Sequence, residues 1–144
     1  RHTCNLTRRN GVENLPIMNF EFGISNKGQE KTFQVPAYPD TASSRSVVSL
    51  SSAKAIGAKI KPTNDTLYNA SNEEMIVNGK IKCDISVDGK HKVKMDAVVS
   101  EDLDSETDPI NLISWHDLEN LKLIKISQHK TKNKEISTDI IHHL

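Results

Sequence analysis

Aromatic side chains are scarce in this chain, at 4% of 144 residues, and hydrophobic residues of every kind reach only 35%. A core built from so little is lean, so polar ends or burial completed by a partner are expected. Net charge is lacking too: 19 basic residues stand against 19 acidic ones. That balance excludes the strong one-sign field that draws a domain to nucleic acid or to an anionic membrane, and no direct nucleic-acid binding is expected. No apolar run approaches the ~20 residues of a membrane span, and the first residues lack the apolar stretch of a signal peptide. The expectation is an intracellular, cytoplasmic chain without a membrane partner. Cysteine is limited to Cys4 and Cys83, too few for a disulfide framework and in keeping with a reducing compartment. His2 with Cys4, and His142 with His143, fall short of the four ligands of a structural zinc site. The acids of residues 100–108 lack the spacing of a calcium loop. No metal and no cofactor is expected.

What is present is alternation, and its extent reads as one domain. Residues 1–13 are polar and without period, a linker. Residues 14–126 carry the pattern. Residues 127–144 are Lys- and His-rich, a polar tail or linker. A chain that starts at Arg1 reads as a piece of something longer. Three matches to the glycosylation pattern, at Asn5, Asn64 and Asn69, are of the kind an Asn- and Ser-rich chain produces by chance.

Met18, Phe20, Phe22 and Ile24 alternate with polar residues or glycine, the period of a half-buried strand. Ser25-Asn26-Lys27-Gly28 is a turn, and Phe33, Val35 and Ala37 alternate in the strand that returns. After Val47-Val48, Ser49 or Ser51 can cap a short helix that Gly57 ends. Ala53 and Ile56 share one face of it. Ala58-Lys59-Ile60-Lys61-Pro62 reads as a short strand. Thr66 to Asn69 and Met75 to Val77 flank Ala70-Ser71-Asn72-Glu73-Glu74, a hairpin with a small, polar, mobile tip. Ile81, Cys83, Ile85 and Val87, then Val93, Met95, Ala97 and Val99, form a second hairpin around Asp88-Gly89. Cys83 falls on the apolar side of its strand, a core position and not a nucleophile. Leu112-Ile113 is a short buried run. Ser114 caps a helix through Leu121, with Asp117 in its first turn as the helix dipole favours. Trp115, Leu118 and Leu121 are its core face, and His116 is a surface or capping residue. Leu123-Ile124-Lys125-Ile126 makes a last strand.

Between the first hairpin and Val47-Val48 lies Asp40-Thr41-Ala42-Ser43. A carboxylate is thus held in a tight loop between two strands that must be buried. Burying it costs several kcal/mol unless it is hydrogen-bonded or protonated. The plain alternative is a surface turn that begins with Asp.

The order of elements, together with Tyr38-Pro39-Asp40-Thr41-Ala42-Ser43-Ser44-Arg45-Ser46-Val47-Val48-Ser49 and Leu112-Ile113-Ser114-Trp115-His116-Asp117-Leu118, resembles the retropepsin family. These are the aspartic proteases of retroviruses and LTR retrotransposons, and the two motifs look most like the protease segment of Gypsy-type retrotransposon polyproteins. The resemblance covers roughly residues 14–126. It implies a mainly β fold, a retropepsin-like acid-protease half-barrel with two short helices, acting as a homodimer on a polypeptide substrate. It also implies roles. Asp40 is the catalytic carboxylate; Thr41, Ala42 and Ser43 support its loop; Leu112, Ile113 and Ser114 form the second structural motif. Ala70, Ser71, Asn72 and Glu73 form a flap over the substrate, with Tyr68 and Met75 lining the pocket. The chain departs from the family at two places that usually hold Gly, here Ala42 and Ser114. An inactive dimerisation or peptide-binding domain of the same fold, and an unrelated β-rich interaction module, are the competing readings.

Overall fold

The structure, a computed structural model, describes residues 2–4, 16–104, 108–126 and 138–140. Strands β2 (Met18–Asn26) and β3 (Gln29–Asp40) follow β1 (His2–Thr3). They form an antiparallel hairpin in which Met18 faces Ala37 and Asn26 faces Gln29. The period-two pattern is realised: Met18, Phe20, Phe22, Ile24, Val35 and Ala37 are all buried. Next come β4 (Val47–Ser49), α1 (Leu50–Ala55), β5 (Leu67–Tyr68), β6 (Glu74–Met75), β7 (Gly79–Ser86) and β8 (Val93–Ser100). A 3-10 turn (Glu101–Leu103) leads to β9 (Leu112–Ser114), α2 (Trp115–Asn120), β10 (Ile124–Ile126) and β11 (Thr138–Ile140).

Six strands close into a barrel in the order β2-β3-β9-β4-β8-β7. Closure removes free strand edges, and it carries the end of β3 to the centre of the sheet. There Tyr38, Pro39 and Asp40 pair in parallel with Leu112, Ile113 and Ser114. The main core fills the barrel and takes in Ala53, Leu118 and Leu121 from the two helices. A smaller cluster of Cys4, Val47, Leu67, Met75, Val98, Leu103 and Leu112 lies under a separate sheet, β1-β5-β6. Burial pushes the Cys83 thiol up to about 12, with the charges of Asp84 and Asp117 adding to the rise, so it stays a protonated core residue.

The helix ends are local chemistry. Ser49 is the N-cap of α1, its hydroxyl accepting from the Ser52 amide. Gly57, at φ +73°, ends the helix in the left-handed region.

One element differs from the sequence expectation. Residues 58–62 form no strand, and only Lys61 bridges to Lys80. Ala58 and Ile60 lean half-buried on the core, too little apolar surface to hold a ladder against Pro62. The β7–β8 hairpin forms as expected, with Asp88-Gly89 in the loop between its strands. The Asp88 carboxylate accepts from the amides of Lys90 and His91, and Ser86 Oγ accepts from the Gly89 amide. Those bonds favour a loop that runs from Val87 to Lys92.

The ends lie largely outside the described residues, including Asn5, His142 and His143. His2–Thr3, within the polar N-terminal stretch, pairs in parallel with Leu67–Tyr68 of β5. Thr138–Ile140, within the polar C-terminal stretch, pairs antiparallel with β10. Composition gives no hint of either pairing. No helix among the described residues is long and apolar enough to cross a membrane.

Candidate active site

Asp40 is the last residue of β3 and is 1% exposed. Its position follows from β3 running the length of the hairpin and then being clamped beside β9. The chain turns at once: Ser43 N–H donates to the Asp40 carbonyl at 3.2 Å, and Ala42 N–H donates to Asp40 Oδ1 at 3.2 Å. Thr41 is half-buried, Ala42 exposed and Ser43 buried. Ser43 Oγ donates to the Arg45 carbonyl at 2.6 Å, and Trp115 N–H donates to the Ser43 carbonyl at 3.2 Å. The loop named from sequence is therefore one hydrogen-bonded unit, and the Leu112–Ser114 motif lies directly beside it.

The two departures from the family pattern are conformationally mild here. The positive-φ residues other than glycine are Lys27, Asn72 and Lys122 among the described residues, so Ala42 is not in the left-handed region. Ser114 has φ −69° and ψ 161°. Neither position demands glycine on backbone grounds.

Ser114 uses its side chain. It caps α2 by accepting from Asp117 N–H at 3.3 Å, and its own amide donates to Ser46 Oγ at 2.9 Å. Ser46 Oγ and Ser114 Oγ both donate to Asp117 Oδ2. Asp117 was expected only to favour the helix dipole, yet it is buried and ties the strand after the Asp40 loop to β9 and α2. Burial raises its pKa; the hydroxyls of Ser46 and Ser114, and the charges of His116 and Arg45, oppose the rise. A folded pKa above the unfolded one means stability that is full below the ordinary carboxylate range and is lost as pH rises through the raised value. Asp117→Asn keeps an acceptor for both hydroxyls and removes the titration. Its melting temperature should therefore decline less than that of the wild type as pH rises through that range, which paired thermal melts across pH will measure.

The flap-like hairpin forms as β5 and β6, with Leu67 opposite Met75 and Tyr68 opposite Glu74. Residues 70–74 are all exposed. Met75 is 5% exposed and points into the small core, where Cys4 Sγ lies 3.4 Å from its sulfur. Tyr68 is half-buried and stands between Thr3 and Glu74 in the sheet. Sequence reasoning missed Asn69, which closes the tip: its Oδ1 accepts from the amides of Ser71 and Glu73, each at 3.0 Å. An Asn before a small polar run is a turn signal, and that signal was available. With no buried side chain at residues 70–74, and only exposed turn bonds on their amides, exchange there should be fast among the described residues in the ligand-free protein and should slow on binding a peptide inhibitor. Equal protection in both states would remove the lid role.

Asn111 was missed as well. It is buried, with Oδ1 accepting from Ser49 N–H at 2.9 Å and Nδ2 donating to the Pro36 carbonyl at 3.2 Å, which joins β3 to β4 behind the loop.

No protein-family model matches this chain, and no curated protein does. Among solved structures, the EIAV protease complexed with the inhibitor HBY-793 is similar, with a TM-score of 0.55 at 13% identity. The likeness covers 81% of this chain and 95% of that one. The fold is retropepsin-like, mainly β with two short helices.

Proposed function

We propose that this chain is an aspartic-type endopeptidase that cleaves extended polypeptide, with Asp40 supplying one half of a carboxylate pair and a second copy of the chain supplying the other. The observation that carries the reading is a carboxylate 1% exposed at the end of β3, held in a tight loop, in a retropepsin-like fold. One Asp-Thr-small loop per chain is half of what the chemistry needs, so a homodimer completes the site. Two carboxylates brought close cannot both ionise, and the pair shares one proton. The ionised Asp40 takes a proton from a water as that water attacks the scissile carbonyl. The protonated Asp40 of the partner subunit hydrogen-bonds the carbonyl oxygen as it gains charge. The tetrahedral intermediate collapses when the leaving nitrogen receives the proton, and no covalent enzyme adduct forms. Thr41 fixes the two loops across the dimer axis, the Ala42 carbonyl holds substrate backbone, and residues 70–74 close over the peptide by strand-like bonds. The motifs around Asp40 and Leu112 support a source in a Gypsy-type LTR retrotransposon polyprotein, whose processing would be the task.

The test is incubation with a mixed peptide library at several pH values, with and without a hydroxyl-bearing transition-state mimic. Cleavage on the acid side of neutrality that the mimic blocks is expected. No cleavage at protein concentrations that support a dimer would favour the second reading, a dimerisation or peptide-binding domain, which Ala42 and Ser114 motivate. Because Ala42 is not in a strained conformation, Ala42→Gly should change kcat/KM by about tenfold or less, which is about 1.4 kcal/mol in the barrier. An inactive wild type fully rescued by that change would instead mark the loop as disarmed.

A further inference from the structure

Arg45 lies five residues past Asp40, and its side chain is 17% exposed. One edge of its guanidinium is anchored on the barrel: Nε donates to the Asp96 carbonyl at 2.9 Å and Nη2 to Asp96 Oδ1 at 2.8 Å. The other edge reaches across, with Nη1 donating to Asp65 Oδ2 at 2.7 Å. Asp65 is two residues before β5, the ascending arm of the flap-like hairpin. It is itself held in place, since Thr63 Oγ1 donates to Asp65 Oδ2 at 2.8 Å and accepts from Asp65 N–H at 3.2 Å. His2 joins the group, with Nε2 at 3.6 Å from Asp65 Oδ1 and 3.5 Å from Arg45 Nη1, and Nδ1 at 3.4 Å from Ser44 Oγ.

The descending arm is tied elsewhere. Ile76 N–H donates to Asp102 Oδ2 at 2.8 Å, and Asn78 exchanges bonds with Glu101 at 2.9 and 2.7 Å. These carboxylates belong to the 3-10 turn after β8, away from the Asp40 loop in sequence. The ascending arm is the one that Arg45 joins to the segment leaving Asp40.

We propose that Arg45 is a positioning residue, which sets the flap-like hairpin over the Asp40 loop by holding Asp65 against the barrel strand β8. The proposal rests on the reading of Asp40 as catalytic, and it adds a residue that had no assigned role in the motif around Asp40. The planar fork matters: three separate donors meet three acceptors on β8 and on the segment before β5 at once, which a single ammonium cannot reproduce. The thermodynamic worth of such a partly exposed pair is small, so its effect is expected in the alignment of the flap and not in global stability. The chemistry predicts no preference for acidic substrates from Arg45, because Asp65 and Asp96 already offset its charge.

The experiment compares wild type, Asp65→Asn, Arg45→Lys and the double variant, all in the full chain. Amide exchange at Leu67 and Tyr68 should speed up in each variant, while that at Val98 and Val99 in the barrel stays as in the wild type. On a cleaved peptide, KM should rise about tenfold and kcat should fall less than about threefold, the signature of lost alignment and not of lost chemistry. Arg45→Lys should not rescue, and the double variant should be no worse than either single one. Unchanged exchange in β5, or full rescue by lysine, would overturn the proposal. A wild type that cleaves nothing would overturn the protease reading instead, and the exchange data would still decide whether Arg45 governs the flap.

Discussion

Asp40→Asn should abolish peptide cleavage and leave the fold intact. The carboxylate is 1% exposed, and its Oδ1 accepts the Ala42 amide. An asparagine oxygen accepts that bond equally well, and the side chain has nearly the same volume. What it lacks is a second ionisable state. It cannot take a proton from water, and it cannot share one with its counterpart. Loss of a general acid–base group costs about 10²–10⁴ in rate, and here both halves of the pair are lost together, so the decline should reach the upper end or pass below detection. Removing a carboxyl from a buried place also removes a desolvation cost, so the melting temperature should hold or rise. The two readouts are initial rate on a cleaved peptide and a thermal melt. Wild-type cleavage by the Asn variant would end the assignment of Asp40; loss of rate accompanied by loss of fold would leave the carboxylate's role to be decided by Asp40→Glu, which keeps the acid and moves it by one methylene.

The barrel was legible because alternation is a strong signal. Met18 to Ile24, Val35 with Ala37, and Ile81 to Ile85 all bury the side that the period assigns to the core. The caps at Ser49 and Ser114 were legible for an equally local reason, since a hydroxyl before a helical run has a donor within reach. Residues 58–62 misled because two apolar residues in a short stretch fit a strand or a buried coil equally. The hairpin around Asp88-Gly89 was legible because a turn pair stands between two alternating runs. The candidate site's buried carboxylate was legible at Asp40 through its setting between two apolar runs. Its supports were not. Arg45 finds Asp65 and Asp96 at sequence separations of 20 and 51, and Ser46 finds Asp117 at 71. No local pattern encodes such pairs; only barrel closure brings them together. The same holds for His2–Thr3 beside β5, where a polar stretch gains its place from a strand edge that the flap arm offers.

Activity per molecule should fall steeply on dilution, because half a site performs no catalysis. Each chain carries one Asp40 loop, and the proposed reaction uses two at once. Below the dissociation constant of the pair, dimer concentration follows the square of total protein, so each tenfold dilution should lower specific activity about tenfold. A tight inhibitor should shift the onset, since anything that binds only the dimer draws chains into it. Mixing supplies a sharper form of the same test. Asp40→Asn chains should enter dimers as readily as the wild type, since Ala42 and Thr41 are untouched. An equal amount of that variant, added at concentrations where every chain is paired, should cut wild-type activity to about half as random pairing leaves a quarter of dimers with both carboxylates. A large excess should silence it. Specific activity that stays constant on dilution to well below the micromolar range, with no effect of added Asp40→Asn chains, would place the whole reaction within one chain. Asp40 would then need a second acid from its own fold, and Asp117, buried beside Ser46 and Ser114, would be the first to substitute.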